Sequence, residues 1–102
     1  MIFECFDHLT QQEWAGSLEL IVTKEDLYEL IIASGSSSFH VIIAKHSYGA
    51  IICIPHIGVC CELAALSDIF LNQESLSHHI NDSDAITIST AISHLPEFYD
   101  YD

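Results

Sequence analysis

The chain has 102 residues, half of them hydrophobic, with fifteen Asp and Glu against only Lys24 and Lys45 and a formal charge of −13. That length and composition suit one domain with one core, spanning 1–102, and exclude an intrinsically disordered chain. They also exclude electrostatic attachment to nucleic acid or to an anionic membrane, and no apolar run reaches the ~20 residues of a membrane helix.

The opening stretch, Met1–Leu9, has no basic region ahead of an apolar one, so it does not read as a signal peptide. A cytoplasmic location is the expectation. In a reducing compartment the four cysteines are expected to bind metal, react or pack rather than form disulfides.

The first half predicts strands, over about residues 2–55. Ile2–Phe6 is β-rich and alternating, and Ser17–Val22 places Leu18, Leu20 and Val22 on one side. Thr23–Asp26 reads as a turn, Leu27–Ala33 as a third strand and Ser34–Ser38 as a loop. Phe39–Lys45 and Ala50–Pro55 flank His46–Gly49 as a hairpin, with Ser47 and Tyr48 at its turn. Short connections make the whole an antiparallel meander, since parallel pairing needs a long crossover.

The second half predicts helices, over about residues 61–95. Cys61–Leu71 carries Leu63, Leu66 and Phe70 at helical spacing, and Asn72 offers an N-cap for a second short piece, 72–80. Asp82–Leu95 puts Ile88, Ala91, Ile92 and Leu95 on one face, with Pro96 as a stop. The tail, 96–102, is acidic and aromatic. The expected fold class is α+β: an antiparallel sheet of about five strands with two or three helices packed on one face.

The densest cluster of chemistry is Cys53–Leu63, with three cysteines and His56. In the expected hairpin register Ile42 faces Cys53, so His40 and Cys53 share a sheet face as diagonal neighbours, ~7–8 Å apart at the backbone. Pro55 and Gly58 can turn the chain and return Cys60 or Cys61 toward the same end. Cys5 could complete a four-ligand set if its strand borders the hairpin. Against this, buried cysteine packs as a small hydrophobe, and no C-x-x-C pair is present. A nucleophilic cysteine would need a base placed beside it, and no motif places one.

The blocks "FEC", "SSSFHVI", "ICIPHIGVCCELAALSDIF" and "DAITISTAI" resemble a family of small acidic bacterial proteins of unknown function from mobile genetic elements. The resemblance runs from about Ile2 to about Leu95 and is most specific over Cys53–Phe70. Such proteins are similar to type II anti-CRISPR proteins, inhibitors of Cas9. The resemblance implies a non-enzymatic, stoichiometric inhibitor that docks on a basic nucleic-acid-binding surface of Cas9 or of its guide-RNA complex. Its recurrent positions match Cys5, His40, Cys53 and Cys61, which implies a structural Zn²⁺ held by those four; Cys60 falls where the family often has glycine and His56 where other residues are usual, which sets both aside behind the named ligands. The expected partner-binding residues are the acidic clusters Glu25, Asp26 and Glu29, and Glu97, Asp100 and Asp102. Two other functions share this composition: an immunity or antitoxin-like inhibitor of another basic nuclease, and a small thiol or metallo-enzyme.

Overall fold

Six strands lie in chain order, each hydrogen-bonded to the next, in a computed structural model that describes residues 1–46, 49–63 and 80–95. For His46, Cys61 and Leu63 it describes the backbone. The strands are β1 (Ile2–Asp7), β2 (Gln12–Thr23), β3 (Leu27–Ser34), β4 (Ser37–His46), β5 (Gly49–Ile54) and β6 (Val59–Leu63). All five pairings are antiparallel. A 3₁₀ turn, Pro55–Ile57, joins β5 to β6. The helix α1 (Asp82–Ile92) packs against β1, β2 and β3.

The expected architecture is therefore corrected. The sheet has six strands rather than about five, and among the described residues there is one α-helix rather than two or three. The start of the expected helix at Cys61 is overturned: Cys61–Leu63 belongs to β6. Pro55 and Gly58 do bend the chain, with Gly58 left-handed at φ 71. The bend is a tight reversal, however, so Val59 comes back opposite Ile54 and the open edge of β5 captures the returning chain. Leu63, the first of the three residues at helical spacing, is a strand residue. The calls for helix at 64–71 and at 72–80, with the Asn72 cap, and for the tail at 96–102 fall outside the described residues, as does the Ser47–Tyr48 turn.

The hairpin register matches expectation, with Ile42 opposite Cys53, Ala44 opposite Ile51 and His46 opposite Gly49. The strands run longer than their alternating cores suggest. The expected Ser34–Ser38 loop shrinks to a two-residue turn, Gly35–Ser36, between paired Ser34 and Ser37. Gly35 sits there at φ 57, where a side chain would be strained.

Strand alternation divides the sheet into two faces. One row is buried: Phe3 and Cys5, Leu18, Leu30 and Ile32, Val41 and Ile43, Ile52 and Ile54, and Val59. α1 adds Ala85, Ile88, Ala91 and Ile92, with Leu95 just beyond it, to the same cluster. Asn81 caps α1, its side chain accepting from the Asp84 amide at 2.9 Å, which satisfies an otherwise unpaired donor. Thr87 and Ser89 are buried within the helix without cost in unpaired hydroxyls, because each donates to the carbonyl four residues back, at 2.8 and 2.9 Å. Gly16 allows the closest approach. A Cβ there would lie 2.6 Å from the Phe3 ring and 3.2 Å from the Thr87 methyl.

Candidate functional site

The second face carries the groups that can meet a partner. Glu4 lies opposite Ala15, Glu13 opposite Phe6, Glu19 opposite Ile31, Glu29 opposite Ile42 and Glu62 opposite Ile51. Each of these pairings is out of step with the buried row, so all five glutamates belong to the face away from α1. Between them lie Ile31, Ala33, Ile42, Ala44 and Ile51, all partly exposed. The result is an apolar strip with an acidic border.

The chain's two lysines are placed elsewhere. Lys45 pairs with the buried Ala50, and its ammonium lies 4.9 Å from the centre of the Tyr28 ring, a cation–π contact on the helix side. Lys24 lies in the connection between β2 and β3, with its backbone bonded to Leu27. Among the described side chains, His40 is a basic group on the acidic face, and its Nε2 donates to the Glu29 carboxylate at 2.5 Å. That pair spans β3 and β4 as diagonal neighbours.

The expected metal ligands do not converge. His40 and Cys53 share the acidic face, as the register requires. Cys5 is on the other side of the sheet, buried at 2% exposure beneath α1. It also lies on β1, three strand spacings from β4 and four from β5, or about 14–19 Å across the sheet. Cys61 pairs through its backbone with Ile52, one step out of register with Cys53. Among the described residues no group of three or more His, Cys, Asp or Glu side chains is arranged to hold a metal ion. The named Cys₃His set does not fit a single tetrahedral zinc, because its members occupy two faces of one sheet.

Cys5 instead belongs to a polar knot within the core. The Trp14 indole N–H donates to Thr87 Oγ1 at 2.8 Å, directly across the ladder from Cys5. Burial raises the Cys5 thiol above its ordinary value of 9.0, and hydrogen bonds with the Thr87 and Thr90 side chains partly offset that. This thiol is shielded and held protonated, which suits packing rather than nucleophilic attack.

Cys60 stands directly opposite Cys53, and the two sulfurs are 2.6 Å apart. The pattern in the sequence sets Cys60 aside, yet its sulfur is in direct contact with that of Cys53. His56 is exposed on the 3₁₀ turn. Of the expected partner-binding residues, Glu25 and Asp26 are exposed in the β2–β3 connection and Glu29 is on the acidic face. Glu97, Asp100 and Asp102 lie outside the described residues.

Residues 1–100 match the model of a family of unknown function, DUF6618. The chain belongs to that family. The DUF6618 match spans every described element, from β1 through α1, and so includes both faces of the sheet. No curated protein and no solved structure matches the chain. Among the described residues, no helix is long and apolar enough to cross a membrane.

Proposed function

We propose that this DUF6618 protein is a stoichiometric binding protein, not an enzyme, whose acidic sheet face docks on the basic nucleic-acid-binding surface of another protein in the bacterial cytoplasm. The single observation that carries this reading is the charge segregation. Five glutamates border an apolar strip on one face, and both lysines of the chain lie off it. Proteins that hold nucleic acid present the complementary surface, a basic channel or stripe.

Cas9 is the specific partner, on the resemblance of the sequence to type II anti-CRISPR proteins. Its positively charged channel holds the guide–target heteroduplex, and an acidic sheet seated there excludes target DNA. Glu29 lies on that acidic face, and Glu25 and Asp26 are exposed in the β2–β3 connection next to the strand that carries it. A structural zinc has no part in this reading, since the residues named for it lie on two faces.

The test is DNA cleavage by Cas9 and guide RNA with the purified chain titrated in. Inhibition saturating near one chain per Cas9, without turnover, is expected. It should weaken as salt rises toward the range where the Debye length falls to about 3–8 Å. Full cleavage at a large excess of the chain removes Cas9 as the partner. Inhibition unaffected by salt removes the charge-led interface.

A further inference from the structure

We propose that Cys53 and Cys60 form a thiol–disulfide exchange site, which takes a small-molecule disulfide as its substrate and closes into a cross-strand bond. The geometry needs no movement of the backbone. Directly opposed antiparallel residues have Cα atoms about 4.5–5.5 Å apart, inside the range of about 4.4–6.8 Å that a disulfide spans. Cys53 and Cys60 are such a pair, on the face away from α1, with their sulfurs already in contact at 2.6 Å. The connection between them is held short by the 3₁₀ turn and by left-handed Gly58, whose amide donates to the Pro55 carbonyl at 3.1 Å.

The two thiols have different access, which assigns their roles. Cys60 is exposed and Cys53 is partly buried. The Cys60 thiolate attacks one sulfur of the incoming disulfide, forming a mixed disulfide and expelling the first thiolate. Cys53, losing its proton to solvent, then attacks the Cys60 sulfur. The Cys53–Cys60 bond forms, the mixed disulfide breaks and the second thiolate leaves. The protein dithiol gives up two electrons and two protons, and the small disulfide is reduced to two thiols. Whether the bond is open or closed then follows the thiol–disulfide poise of the surroundings.

The other cysteines do not compete. Cys5 is buried beneath α1 on the opposite face, and the register sets Cys61 opposite Ile52, so that Cys60 rather than Cys61 is the residue directly across from Cys53. The chemistry does not depend on the partner proposed above, although the site lies on the same face as the acidic border.

The reduced full-length protein, incubated with glutathione disulfide, acid-quenched, alkylated and mapped by tandem mass spectrometry, tests this directly. Loss of two of the four alkylatable thiols, a Cys53–Cys60 link and no retained glutathione are the expected results. Cys53→Ser is expected to stall with glutathione on Cys60, and Cys61→Ser to close as the wild type does. A stable glutathione adduct on wild-type Cys60, a link through Cys5 or Cys61, or four surviving thiols overturns the proposal. The wild-type map alone decides if either variant fails to fold.

Discussion

Cys5 and Cys53 are both strand cysteines in one continuous sheet, yet their surroundings are opposite. Cys5 has an indole, two threonine hydroxyls and a helix around it, and its proton is held more tightly than usual. Cys53 faces another thiol across an outer strand, on a face bordered by carboxylates. One sheet thus offers a sealed face for stability and an open face for contact. Among the described elements, α1 covers the sealed face over β1 to β3, from about 60 residues beyond the end of β2 in the sequence.

The largest expected contrast is in packing. Ile88→Ala, at a fully buried site on α1, should cost about 2–5 kcal/mol in urea denaturation, whereas Ile42→Ala on the open face should cost about 1 kcal/mol. Equal losses would mean that the two faces are equally sealed.

Gly16→Ala comes next, at about 1–3 kcal/mol, because the new methyl meets the buried Phe3 ring. A melting temperature unchanged by this substitution would show that the ring is loosely held.

Pairing the two cysteines sharpens the comparison further. Cys5→Ala and Cys53→Ala should have stability effects that add to within about 0.5 kcal/mol, as expected for sites that share no partner. One zinc ligated by both would make the double variant no worse than either single one, and elemental analysis would find about one metal per chain.

Smaller still is the Glu29–His40 pair, whose His side chain is 44% exposed. Glu29→Gln should change stability by no more than about 1 kcal/mol, while weakening binding to a basic partner. The pH dependence distinguishes the faces without mutating the pair. Because the folded-state value of the Cys5 thiol is raised, its contribution is complete below 9.0 and is lost as pH rises through the folded-state value. Cys5→Ala should remove that alkaline loss, and Cys53→Ala should leave it in place, as read from denaturant midpoints above pH 9.

Much of this arrangement is legible in the residues. The β4–β5 register follows from Gly49 and from alternation on both sides of it. The buried face of α1 follows from Ile88, Ala91, Ile92 and Leu95 at helical spacing. β6 was hidden because Val59–Leu63 is short and runs into a segment whose leucines keep a helical period. A usable signal was present. If Pro55–Gly58 is treated as a four-residue hairpin connection, Ile54 must face Val59 and Cys53 must face Cys60. The separation of Cys5 from the other cysteines could not be read that way, because alternation within a strand does not say which face a distant helix will cover. The Trp14–Thr87 bond, joining residues 73 positions apart, is likewise a product of tertiary packing.

Order of synthesis gives the β1–α1 contact a consequence of its own. β1 and β2 are made before the other described elements, and the helix that covers Phe3 and Cys5 is the last of them. At roughly 5–20 residues per second, the roughly 70 residues from the end of β2 to the end of α1 take about 4–14 s to add. During that interval the apolar side of the first hairpin lacks the helix that packs on it in the finished fold. The sealed side over β1 to β3 therefore waits for α1, and a truncation before Asp82 would keep the six described strands in the sequence while removing the helix that packs on the first three.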